Sequence, residues 1–282
     1  MAQLQQQILG YLPTAIRELL EGGPRRALLE KVDATILVRN GCVAHLESRK
    51  FSSLEDSENE HTSDADLIAT ASKALLNSQA KEHSTLLLLP ASEFVATTLE
   101  MPGVSKESLI SAVKLQVDSL LPAYEGNVSL AVNPASVANA DGHIALWMAS
   151  SRIAEFFDAF ARQGLFLAAI KPRVLAAEES DHDTLIIDSD GESKTAVLLK
   201  AGIVRRWLHV NNIDFEQQEF SEQWQQLIDS TEAEKTRQLD ELADFFELTD
   251  KKSHREYNLF PLGALRVDRK STRLNSSHTS IS

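Results

Sequence analysis

One cysteine, Cys42, stands in a chain of 282 residues. It allows no internal disulfide and no cysteine-based metal site, the usage expected in a reducing cytoplasm. Positive charge is also scarce: 28 Lys and Arg face 41 Asp and Glu, for a formal charge of −13. A chain that acidic is a poor binder of nucleic acid, or of anionic lipid, as a whole. No apolar run approaches the ~18 residues of a membrane span. The start, MAQLQQQILGYLP, lacks the basic region and the continuous apolar region of a signal peptide. The eight histidines form neither His-x-His nor His-Glu-x-x-His. There is no Gly-x-Ser-x-Gly elbow, and no two carboxylates are singled out as a general acid and base. The sequence holds no catalytic constellation, and a cytoplasmic protein is expected.

What is present is a core-forming pattern. Hydrophobic residues make up 43% of the chain, enough for one large domain or two small ones. Residues 1–24 read as an amphipathic helix, with Leu4, Ile8, Leu12, Ile16, Leu19 and Leu20 on one stripe and a stop at Gly22-Gly23-Pro24. Residues 25–250 read as one α/β (α+β) domain, with mixed sheets and flanking helices. It opens with a hairpin whose turn is set by Asn40-Gly41. Residues 49–66 read as a solvated acidic loop. A helix capped by Ser63 carries Leu67, Ile68, Leu75 and Leu76 on one face. STLLLLP is a strand buried on both faces, and FVATTLEM is an alternating one. The helix VSKESLISAVKLQVDSLLP is capped by Ser105, buries Ile110, Val113, Val117, Leu120 and Leu121, and stops at Pro122. Strands through NVSLAVN and HIALWMAS, a helix SRIAEFFDAFARQG and an apolar run LFLAAIKP follow. Three strands joined at Ser189–Ser193 and Ala201-Gly202 come next. The region from Ser221 to Leu248 reads as helical and charged.

The stretch SDGESKT invites comparison with a P-loop. Asp188 stands where the first glycine should be and Ser193 precedes Lys194-Thr195, so the stretch reads as a tight hairpin turn. Lys251, Lys252, Arg255 and Arg266 gather near the end. They fit ordinary surface charge or the cytoplasmic flank of a membrane helix. Residues 251–267 are accordingly read as a juxtamembrane segment cut before a transmembrane helix. The run DRKSTRLNSSH within residues 268–282 matches a one-frame translation of a common sequencing-adapter oligonucleotide, so this tail is set aside as non-native.

Thr85 to Pro122 runs strand, polar turn, strand ending in LEMP, then helix closed by LLP. SSRIAEFFDAFARQGLFLAAIKPRVLA and LIIDSDGESKTAVLLKAGIVRRW follow in order. This resembles the actin-like cytoplasmic components of type IV pilus and type II secretion machines: the PilM family, the cytoplasmic part of the GspL family, and the MSHA-pilus biogenesis (MshI-like) proteins. The resemblance covers roughly residues 30–210. It implies a degenerate actin-like fold and a non-enzymatic scaffold role on the cytoplasmic side of the bacterial inner membrane. The implied partners are inner-membrane platform proteins and a secretion or assembly ATPase; a homodimer is compatible with it, and no nucleic acid is expected.

In PilM-like proteins two Asp-x-Gly phosphate loops can hold ATP; in GspL-like proteins they have decayed. Here the first candidate is Asp33-Ala34-Thr35, without glycine. The second is Asp188-Ser189-Asp190 with Gly191 one place late, followed by Thr195. An aspartate in place of a phosphate-approaching glycine adds a side chain and a negative charge, and both disfavour a triphosphate. No cofactor is therefore expected. An ATP-binding actin-like protein, or a sugar-kinase-type phosphotransferase, is the alternative. YNLFP (Tyr257, Asn258, Leu259, Phe260, Pro261) resembles the INLLP segment by which PilN-like proteins dock on the PilM-like domain. Leu259 and Phe260 fit equally the core of a buried C-terminal strand.

Overall fold

The computed structural model describes residues 32, 34–54, 62–76, 84–99, 104, 112–121, 124, 126–132, 143–177, 182–200 and 203–248. The first three strands, β1 (Ala34–Arg39), β2 (Cys42–His45) and β3 (Lys50–Ser53), form an antiparallel meander. Asn40 (φ 45°) and Gly41 (φ 64°) turn the chain from β1 to β2. Two consecutive positive φ values in a two-residue loop are what Asn-Gly supplies most readily. Helix α1 (Asp64–Leu76) then crosses over, and β4 (Ser84–Leu89) returns parallel to β1. Thr85 to Leu89 are all buried, as a strand covered on both faces requires. The Ser63 hydroxyl accepts the Asp66 N–H at 3.3 Å and so caps α1. The buried face of α1 is Ala65, Ile68, Ala69 and Ser72, with Leu75 and Leu76 packing at its margin.

A small antiparallel sheet comes next, from β5 (Val95–Leu99), β6 (Val128–Val132) and β7 (His143–Ala149), in the order β5-β7-β6. Between them lies α2 (Val117–Leu120), preceded by helical residues 112–115 and a turn at Gln116. Val113 and Leu121 bury against Leu99, Ala145 and Trp147, so the expected stripe packs on this sheet. Trp147 Nε1 donates to Thr97 Oγ1 at 2.8 Å, which satisfies the one polar atom the indole buries. Helix α3 (Ser150–Arg162) buries Ile153, Phe156 and Phe160 in the main core. It leads into β8 (Phe166–Pro172), parallel to β4, which completes a sheet of order β3-β2-β1-β4-β8. A short 3-10 turn, Arg173–Ala177, follows.

The second half retraces the path of the first. β9 (Thr184–Ser189), β10 (Ser193–Lys200) and β11 (Ile203–Asn211) form an antiparallel meander. The short α4 (Asn212–Phe215) and α5 (Gln218–Asp229) lead to β12 (Lys235–Leu239), which runs parallel to β9, and α6 (Leu242–Phe246) comes last. The order β11-β10-β9-β12 reproduces β3-β2-β1-β4. This duplicated β-β-β-α-β path brings the turn after β1 and the turn after β9 to a common junction.

Two expectations are corrected. The stretch 49–66 is not all loop: β3 occupies Lys50–Ser53, and α1 already begins at Asp64. As the outer strand of its sheet among the described residues, β3 leaves Phe51 65% exposed, so it has no buried side to print an apolar alternation. The region from Ser221 to Leu248 is not all helix, because KTRQL forms β12, of which only Leu239 is buried. Its pairing comes from the β9 ladder, a contact no local pattern can encode. The N-terminal helix, the Ser105 cap, Ile110 and the segments after Leu248 lie outside the described residues.

Candidate functional site

At the junction of the two halves stand two arginines and two aspartates. Arg39 closes β1, and Arg173 opens the 3-10 turn after β8. Asp188 lies near the end of β9, and Asp190 lies in the β9–β10 turn. Their side chains are only 3%, 2%, 1% and 6% exposed, respectively. Charges this deeply buried persist only when paired and fully hydrogen-bonded, and these are. Asp188 accepts from both arginines at once: from Arg39 Nη1 at 3.0 Å on Oδ1 and from Arg173 Nε at 2.7 Å on Oδ2. Arg173 Nη2 donates to Asp190 Oδ2, and its Nη1 donates to the Val38 carbonyl at 3.2 Å. Arg39 reaches further. Its Nη1 donates to the Leu239 carbonyl at 3.2 Å, and its Nη2 to the carbonyls of Ser189 and Asp240, each at 2.5 Å. The Phe245 ring centroid lies 5.4 Å from the Arg39 guanidinium carbon. One side chain of the first sheet thus ties down the β9–β10 turn, the end of β12 and α6.

Asp190 fixes its own turn. Its Oδ1 accepts the N–H groups of Glu192 and Ser193 at 2.9 and 2.7 Å. Asn212 holds the far side by donating Nδ2 to the Gly191 carbonyl at 2.9 Å. Burial pushes the Asp190 carboxyl up, but the Arg173 contact and these amides outweigh it and hold the group below its ordinary value. Burial likewise disfavours the Arg173 cation, and the two aspartates more than restore it. Beside the cluster, Thr195 faces Asp188 across the β9–β10 ladder and its hydroxyl lies 2.9 Å from His209 Nδ1. Burial lowers the His209 pKa, which favours the neutral ring. Burial also raises the Cys42 thiol pKa, and its Sγ donates to the Arg39 carbonyl.

The structure gathers Asp188 and Asp190 into one cluster, turns Thr195 toward His209, and leaves Gly191 exposed on the outer side of the turn. Arg39 and Arg173 belong to no sequence motif. Their signal was a charge set in apolar sequence, ATILVRNG and LAAIKPRVLAA, which calls for a buried counter-charge without saying where it lies. Asp33 and the segment Tyr257, Asn258, Leu259, Phe260 and Pro261 lie outside the described residues.

An anion such as a nucleotide phosphate needs free donors: turn amides and guanidinium forks. Here the amides after Asp190 are bound by its own carboxylate, and both forks are filled by aspartates and carbonyls. The described residues of this junction do not fit a triphosphate. Among the described residues, no group of three or more His, Cys, Asp or Glu is placed to hold a metal ion.

No family model and no curated protein matches the chain. Solved structures similar to it include a PilM–PilN type IV pilus biogenesis complex, at 15% identity and TM-score 0.47, matching 64% of this chain and 61% of that one. The chain thus spans less than two thirds of that structure's chain. It is similar also to the cytoplasmic domain of EpsL, an inner-membrane component of the type II secretion system of Vibrio cholerae, at 14% identity and TM-score 0.48, over 80% and 96% of the two chains. A third is a Bacteroides thetaiotaomicron protein with an actin-like ATPase fold and unknown function, at 9% identity and TM-score 0.39, over 78% and 87%. The chain itself has the expected fold class, α/β with mixed sheets and flanking helices, and the β-β-β-α-β path occurs twice in the described residues.

Proposed function

We propose that the chain is a non-enzymatic cytoplasmic scaffold of an inner-membrane assembly platform, serving type IV or MSHA pilus biogenesis or type II protein secretion. It would link membrane partners to a cytoplasmic motor ATPase. The observation that carries the non-enzymatic part is the Arg39–Asp188–Arg173–Asp190 cluster, in which carboxylates of the chain occupy the donors a phosphate would need. The platform part is supported by the ordered sequence pattern from Thr85 to Trp207. A domain whose two halves are joined by buried ion pairs offers a rigid body, and rigid bodies suit work done by surface complementarity. In this reading Tyr257, Asn258, Leu259, Phe260 and Pro261 form an apolar docking segment next to the membrane, and Lys251, Lys252, Arg255 and Arg266 form the basic flank of a helix that crosses it.

Sequencing the coding region beyond codon 267 tests the anchoring. A run of about 20 apolar residues is expected there. A stop codon, or hydrophilic sequence alone, would overturn it.

A further inference from the structure

The last helix among the described residues, α6, has only the five residues Leu242–Phe246. An isolated helix of that length is unstable in water, so its place depends on what it is tied to. Phe245, with no exposed surface, anchors it in the main core, and Leu242, Phe246 and Leu248 pack at the core margin. The corner between β12 and α6 is held in another way.

Two consecutive peptide units at this corner are gripped from both sides. In a trans peptide the C=O and the N–H point in opposite directions. The Leu239–Asp240 unit accepts Arg39 Nη1 on its carbonyl at 3.2 Å and donates the Asp240 N–H to Asp244 Oδ2 at 2.9 Å. The Asp240–Glu241 unit accepts Arg39 Nη2 on its carbonyl at 2.5 Å and donates the Glu241 N–H to the same Oδ2 at 2.7 Å. A guanidinium and a carboxylate thus face each other through two peptide dipoles. Each dipole turns its oxygen to the cation and its N–H to the anion, and hydrogen bonds in such a chain strengthen one another. The link continues past Arg39, whose Nη2 also donates to the Ser189 carbonyl at 2.5 Å, where β9 enters its turn.

We propose that Arg39 and Asp244 form a latch, closed through these two peptide units, that couples the position of α6 to the arginine–aspartate junction. Asp244 does more than cap α6: it acts at a distance on the residue that ties the two halves together. α6 is then a strap. When it lifts, Arg39 loses the carbonyls of Leu239 and Asp240 and the Phe245 ring, and its hold on the β9–β10 turn loosens. By reciprocity, a pull on the chain beyond Leu248 loosens the junction, and whatever stiffens the junction holds the strap down. The latch does not depend on the platform reading or on the nucleotide question.

Amide hydrogen exchange of the full chain, resolved by residue with NMR, tests this. Asp244→Asn keeps the size and one carbonyl acceptor but removes the charge. It should speed exchange at Asp240, Glu241 and residues 245–248 about tenfold or more, the effect of losing a charge-assisted hydrogen bond. The telling amides are those of Asp190, Glu192 and Ser193, which bond within their own turn and not to α6. They should quicken as well. In an Arg39→Gln background, adding Asp244→Asn should change exchange far less, because the chain it breaks is already open. Unchanged turn amides in Asp244→Asn, or an equal effect of that substitution with and without Arg39, overturns the latch and leaves Asp244 a helix cap alone. If Arg39→Gln does not fold, the turn amides of the single Asp244→Asn variant decide the matter.

Discussion

Asp188→Asn is the sharpest perturbation of the junction. Asparagine keeps the shape and one carbonyl acceptor but removes the charge shared by Arg39 and Arg173. Arg173 keeps Asp190 as a counter-ion; Arg39 keeps the carbonyls of Ser189, Leu239 and Asp240 and the Phe245 ring, none of them an anion. At 3% exposure the Arg39 cation gains little from water. Removing one partner of a buried ion pair costs about 3–5 kcal/mol, a large part of the roughly 5–15 kcal/mol that holds a domain folded. With a urea m-value of about 3 kcal/mol/M for a chain of this size, the midpoint should fall by on the order of 1 M, read by far-UV circular dichroism. Adding Arg39→Met to Asp188→Asn removes the orphaned charge and should recover at least about 1 kcal/mol, a coupling that two independent sites would not show. A fall below about 1 kcal/mol in the single variant, or strict additivity in the double, would refute the view that the cluster holds the two halves together.

Other outcomes follow from the same structure. Burial raises the Glu47 carboxyl, but bonds from His45 and from the Thr35 N–H (2.9 Å) and hydroxyl (2.8 Å) dominate and lower it to about 2. Its contribution is therefore complete above the ordinary glutamate pKa and is lost as pH falls toward about 2. Glu47→Gln should cost about 1 kcal/mol at neutral pH, and the gap from wild type should close on acidification, measured as urea midpoints across pH. Phe156→Ala, at a residue with no exposed surface in the main core, should cost about 3–5 kcal/mol by the same assay. If residues 257–261 dock as proposed, Phe260→Asp should weaken their protection from protease; unchanged protection would count against that docking role.

The sequence made legible what is decided locally. Asn40-Gly41 announced its turn because both residues tolerate positive φ. The leucine run Leu86–Leu89 announced a strand covered on both faces, and Ser63 announced a helix start. What stayed hidden is decided at a distance. β3 and β12 are outer strands among the described residues, held by ladders rather than by apolar faces, and their own residues read as loop and helix. The turn at Gln116 interrupts a stretch whose apolar stripe alone reads as one continuous helix. Arg39 and Asp188 are 149 positions apart in sequence. Each shows a buried charge, but only the doubled fold shows that each is the other's partner.

Isothermal titration of Mg-ATP into the chain tests the central claim most directly. The account predicts no saturable heat up to millimolar nucleotide, because Asp188 and Asp190 hold the donors that phosphates would need. Saturable binding that disappears in Asp188→Ala would contradict it, and would mark the junction as a working nucleotide site.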